Sequence, residues 1–160
     1  MSATATYRNA LSMGAMLLEY RLESVLGAGG FGMTYLCTDI NLDKHVAIKE
    51  YFPSDLALRA LDGSVVAVNT ESDQSYQWGL ERFIQEARTL AKFGHPHIVR
   101  VHRYFEANST GYLVMDYERR VAQSVVEARA EAQERALQVA RHGQYIGATI
   151  AILHSNSLDK

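Results

Sequence analysis

The chain has 160 residues, 48% hydrophobic and 21% charged, with 11 Gly and 2 Pro, which fits one globular domain and excludes low-complexity or collagen-like classes. Sixteen Lys and Arg against 18 Asp and Glu leave a formal charge of −2, without the strongly basic footprint of a nucleic-acid binder. A single cysteine, Cys37, rules out an internal disulfide and points to a reducing cytoplasm.

Residues 1–16 carry Ser, Ala and Thr without a period and read as a flexible leader. The apolar run Ala10–Leu18 follows Arg8, but it enters Glu19-Tyr20-Arg21 without a small-x-small cleavage site, which disfavours a signal peptide. From Tyr20 to Leu26 polar and apolar residues alternate as in a half-buried strand. The glycine-rich stretch Gly27–Gly32 interrupts it, and Met33–Thr38, rich in β-branched and aromatic residues, reads as the returning strand. After turn residues 39–44, His45–Lys49 is a third strand.

Residues 51–75 form a longer excursion, in which Leu56–Ala60 and Ser64–Val68 flank Asp62-Gly63, a signal for a hairpin with a primed turn. Leu80, Phe83, Ile84, Ala87, Leu90 and Ala91 then repeat at helical spacing, with Gly94 and Pro96 as the stop. Ile98–Phe105 and Tyr112–Tyr117 are two more strands, joined by Asn108-Ser109-Thr110-Gly111. Glu118–Arg141, rich in Ala, Arg, Glu and Gln, reads as a polar helix supported by the i,i+4 pair Glu131 and Arg135 and ended by Gly143. The apolar stretch Tyr145–Leu153 is far shorter than the roughly 20 residues a spanning helix needs, so no membrane segment is expected.

Gly27-x-Gly29-x-x-Gly32 is by itself a weak signal. A dinucleotide-binding unit would continue into a helix, whereas strand-forming residues follow Gly32; a Walker A loop needs Gly-Lys-Ser/Thr, which is missing. A strand–turn–strand flap remains, whose bare amides can approach phosphate oxygens, and so does a plain glycine-rich hairpin. Two further residues favour the flap. Lys49 ends the apolar strand that follows the hairpin, and Glu86 lies at the margin of the apolar helix face, where it can turn inward as the partner a buried lysine needs.

Leu26–Tyr35, Val46–Lys49, Phe83–Leu90, the run from His95 to Val99, and Tyr112–Tyr117 together resemble the N-terminal lobe of a protein kinase. The run Ala47-Ile48-Lys49-Glu50-Tyr51-Phe52-Pro53-Ser54 is similar to a bacterial Ser/Thr kinase subgroup. The resemblance implies an α+β fold, an antiparallel sheet with one positioning helix, over residues 17–117, followed by a non-kinase-like helical tail over 118–160. It implies ATP as ligand. Gly27, Ala28, Gly29, Gly30, Phe31 and Gly32 would form the loop over its phosphates, Lys49 would grip the α- and β-phosphates, and Glu86 would hold Lys49 in place. Leu26, Thr34, Ala47 and Met115 would line the adenine pocket, Thr34 standing where the family usually has Val. Asp116 and Tyr117 would offer hinge backbone groups. His95, His97 and His102 could be imagined as a metal cluster, but a kinase-like helix exit disfavours it.

The resemblance stops after Tyr117. No His-Arg-Asp loop, Asp-Phe-Gly or Ala-Pro-Glu follows, so the catalytic base and the ligands for Mg²⁺ are missing. The expectation is an ATP-binding lobe of a Ser/Thr protein kinase, inactive alone. Two origins for the tail stand open: an out-of-frame extension, or a genuine helix covering the surface that faces the other lobe. The rival functional reading is a non-catalytic module that binds a kinase or sensor partner, or itself, through its exposed lobe face.

Overall fold

The computed structural model describes residues 7–94 and 99–117. The helix expected over 118–141, Pro96, His95, His97 and the apolar stretch at 145–153 lie outside the described residues. Within them, six antiparallel strands form one sheet in the order β1-β2-β3-β4-β8-β7, beside a two-stranded hairpin, β5-β6, and one helix. The strands are β1 (Met16–Leu17), β2 (Tyr20–Gly29), β3 (Gly32–Asp39), β4 (Lys44–Tyr51), β5 (Ala57–Arg59), β6 (Val65–Ala67), β7 (Val101–Ala107) and β8 (Thr110–Asp116); the helix is α1 (Thr70–Leu90). This is the α+β arrangement expected from the resemblance.

β4 is the spine. It pairs with β3 on one side and β8 on the other, and Val46–Tyr51 are buried without interruption. Because side chains alternate, the register sorts them into two faces. Tyr35, Ile48 and Val114 share one row with Met33, Glu50 and Tyr112 beside it. Thr34, Lys49 and Leu113 share a row on the opposite face, with Ala47 and Met115 next to it.

α1 packs on the Lys49 face. Tyr76, Leu80, Phe83, Ala87 and Leu90 are its buried stripe, and the Tyr51 ring stands 5.4 Å from that of Tyr76 and 5.7 Å from that of Phe83. Gly79 explains the close approach: a Cβ there would lie 2.0 Å from the Tyr51 hydroxyl oxygen. The helix begins ten residues before the periodicity at Leu80. Its first turn is polar, and it starts because Asn69 caps it, the side chain accepting from the Ser72 N–H at 2.8 Å, with Glu71 and Asp73 favourable beside the positive end.

Two turns differ from expectation. At Asp62-Gly63 the Gly63 N–H donates to the Ala60 carbonyl and only Gly63 has positive φ, so the hairpin uses a common turn followed by a left-handed glycine rather than a primed turn. The two-residue primed geometry occurs instead between β7 and β8, where Asn108 and Ser109 have φ of 51° and 58°. Residues 7–16, expected as part of a flexible leader, are tied to the sheet. The Leu11 N–H donates to the Tyr35 hydroxyl, Gly14 and Ala15 exchange bonds with Leu22, and Met16–Leu17 pair with Tyr20–Arg21. Backbone bonding holds this segment, which side-chain periodicity does not report.

On the face opposite Lys49 lies a buried ion pair that sequence reading did not find. Glu50 is 0% exposed. Arg59 donates to both of its oxygens at 2.6 Å, and Tyr35 and Tyr112 each donate a hydroxyl at 2.9 Å. Arg59 also donates to the Asn9 and Gly63 carbonyls and lies over the Phe52 ring at 4.9 Å. Four donors satisfy the carboxylate, and the fork geometry of guanidinium matches it. Cys37, fully buried on this face, has its thiol pushed up to about 12 by desolvation.

Removing one member of such a pair leaves a buried charge uncompensated. Arg59→Met is expected to lose about 3–5 kcal/mol in urea denaturation; a loss below about 1 kcal/mol would show that the pair does not hold the outer layer.

Candidate nucleotide-facing site

Glycines and strand chemistry set the loop. β2 and β3 stay paired up to Gly29 opposite Gly32, leaving Gly30 and Phe31 as the tip. The Phe31 side chain is 65% exposed. β2 carries register shifts between Leu22 and Ser24 and between Val25 and Gly27, extra residues that increase twist toward the loop. Leu26 lies in the second of these and is half-buried; Gly27 is buried, and Ala28, Gly29 and Gly30 are exposed. Gly32 has a structural reason beyond any ligand. A Cβ there would stand 2.1 Å from the Glu50 carbonyl oxygen.

Behind the loop, the register brings Thr34, Ala47, Lys49 and Met115 to one face of the sheet, each at most 2% exposed. The Thr34 hydroxyl is buried and makes no hydrogen bond among the described residues. Lys49 has its ammonium lowered to about 8, first by desolvation, with the opposing pull of the Glu86 carboxylate raising it. Thus α1 does bring Glu86 into electrostatic range of Lys49.

Asp116 and Tyr117, at the end of β8, are half-buried. The Asp116 N–H donates to the Arg100 carbonyl at 3.0 Å, and its carboxylate meets His102 Nε2 at 2.5 Å. His102 is therefore committed to this carboxylate. Among the described residues no group of three His, Cys, Asp or Glu side chains could hold a metal ion. No described helix is long and apolar enough to cross a membrane.

The protein kinase domain family matches residues 20–158. The chain belongs to the protein kinase family. The Ser/Thr kinase PknJ of Mycobacterium tuberculosis is 30% identical over 107 residues, covering 67% of this chain and 15% of PknJ. PknA of the same species is 33% identical over 103 residues, covering 61% and 20%, and PrkC of Bacillus subtilis 29% over 99 residues, covering 62% and 12%. Among solved structures, the apo form of PpkA-294 superposes with a TM-score of 0.69 at 35% identity, covering 79% of this chain and 44% of that one. The chain thus spans a fifth or less of the length of these curated relatives. The family match runs on past Tyr117, where the motif resemblance stops.

The lowered Lys49 value fixes a pH dependence. Between about 8 and the ordinary 10.5, the unfolded chain holds a proton that the folded chain has released, so stability rises with pH across that window. The burial cost is complete below pH 8 and relieved near 10.5. Comparison with Lys49→Met cancels the tyrosines common to both; from pH 7 to 10.5 the stability difference is expected to move about 3 kcal/mol in favour of wild type. A pH-independent difference in urea midpoints would contradict the assignment.

Proposed function

We propose that residues 17–117 are the nucleotide-facing lobe of a Ser/Thr protein kinase and that they receive ATP in the cytoplasm. The observation that carries this reading is the buried ammonium of Lys49, on the central strand behind a glycine hairpin and opposed by Glu86 on α1. Burial disfavours the Lys49 ammonium and the Glu86 carboxylate opposes that penalty; a phosphate beside it would favour the charged form further. In this reading Gly27, Gly29 and Gly32 cover the phosphates, and Lys49 neutralises the α- and β-phosphates while Glu86 orients it. Leu26, Thr34, Ala47 and Met115 enclose the base, whose edge meets backbone groups of Asp116 and Tyr117.

Phosphoryl transfer to protein Ser or Thr is the family activity. The His-Arg-Asp and Asp-Phe-Gly motifs that supply base and metal ligands do not occur in the 160 residues, and no metal-donor group stands among the described ones. The described residues offer no donor set that fits Mg²⁺, so the reading assigns nucleotide binding to them and routes no step through the metal.

Titration of the chain with ATP, followed by calorimetry, tests the reading. Lys49→Met is expected to weaken binding at least tenfold, and Glu86→Gln to weaken it less. Wild-type affinity should fall as pH rises through 8, where Lys49 gives up its charge. Equal affinity in wild type and Lys49→Met would overturn the proposal.

A further inference from the structure

The tip of the glycine hairpin is fastened from outside the hairpin. The Phe52 N–H donates to the Phe31 carbonyl at 3.1 Å, and the Ser54 N–H donates to the Gly30 carbonyl at 3.2 Å. These bonds continue the ladder past Gly32 opposite Tyr51, the last pair of β3 with β4. The Phe31 side chain is largely exposed, so packing of that ring does not fix the tip. Backbone bonds to residues 52 and 54 fix it.

Those residues are themselves held. Phe52 is 1% exposed, with the Arg59 guanidinium over its ring. The Pro53 carbonyl accepts from the Leu56 and Ala57 N–H groups, which turns the chain directly into β5. β5 carries Arg59, and Arg59 returns to Glu50 through the two 2.6 Å bonds. The path closes on the strand that bears Lys49. A loop of contacts therefore runs from the hairpin tip through 52–54 and Arg59 to Glu50, next in sequence to the lysine.

We infer that Phe52-Pro53-Ser54 is a backbone latch that sets the height of the glycine hairpin over the Lys49 face, with the Ser54 N–H as its outermost bond and the Glu50–Arg59 pair as its seat. Ser54 is a positioning residue acting through its main chain. That the hairpin height matters to a nucleotide rests on the function proposed above; the latch itself rests on the bonds just given.

Ser54→Pro isolates the outermost bond. Ser54 is the second residue of the turn closed by Leu56 N–H on the Pro53 carbonyl, a position where proline is favoured, so the change removes one donor while fitting the turn. Ser54→Ala keeps the donor and loses only the hydroxyl. Native-state hydrogen exchange on the full chain should show the Phe52 amide, bonded to Phe31, exchanging at least tenfold faster in Ser54→Pro and unchanged in Ser54→Ala. Pro53→Gly keeps every latch donor and releases only the ring restraint, so it should give a smaller change in the same direction, and it serves if Ser54→Pro does not fold. ATP affinity, measured in parallel, should weaken several-fold in Ser54→Pro and hold in Ser54→Ala. Unchanged Phe52 exchange in Ser54→Pro, or in Pro53→Gly if that variant alone folds, overturns the latch and leaves the nucleotide reading intact. Faster exchange in a chain that binds no ATP even as wild type supports the latch and overturns the nucleotide reading.

Discussion

Two opposite charges, adjacent in sequence and buried on opposite faces of the central strand, constrain everything else. Lys49 and Glu50 are 2% and 0% exposed, and neither can stay ionised in the interior without a partner. Lys49 draws on Glu86 from the helix; Glu50 draws on Arg59 from the small hairpin, with two tyrosine hydroxyls completing its shell. A one-residue slip of β4 would exchange the two and leave both charges facing the wrong layer. Register is thus set by electrostatics as well as by the hydrophobic pattern. The pairs add little net stability over apolar substitutes, because both members lose water; what they supply is a unique arrangement.

The same constraint gives the lobe three layers. The helix covers one face of the sheet, through the stripe from Tyr76 to Leu90. On the other, Arg59 of the hairpin and Asn9 of the N-terminal segment meet at Glu50. The turn between β7 and β8 ties them at one end: the Asn108 carbonyl accepts from the Val65 N–H, the Ser109 carbonyl from the Tyr76 hydroxyl, and the Thr110 hydroxyl donates to the Tyr51 carbonyl. Left-handed residues at that turn let three successive residues face three different elements.

Much of this was legible in the sequence, for identifiable reasons. β2, β3 and β4 follow from alternation and glycine placement, and the kinase-like motifs located Lys49 and Glu86 because each stands at a fixed offset on its own element. The start of α1 was not found, since residues 70–75 bear no apolar period and the signal there is a cap and two acids. The Glu50–Arg59 pair had no local signature: the partners stand nine residues apart in a stretch without regular period, and the remaining acceptors come from Asn9 and Gly63. The fastening of the hairpin tip leaves no mark in the sequence because it is made by amides and carbonyls, which every sequence possesses. The motif gives Gly32 a reason in phosphate approach, and the structure adds the nearness of the Glu50 carbonyl.

Cys37 reports on motion of the sheet. It is the only cysteine in the chain, 0% exposed in β3 opposite Val46, with its thiol pushed up to about 12. A thiol so buried and so weakly acidic does not react with alkylating or disulfide reagents from the folded state at neutral pH. Modification must wait for β3 and β4 to part. The rate at which this one sulfur is labelled is therefore a clock for opening of the sheet's centre, built into the chain without any added probe.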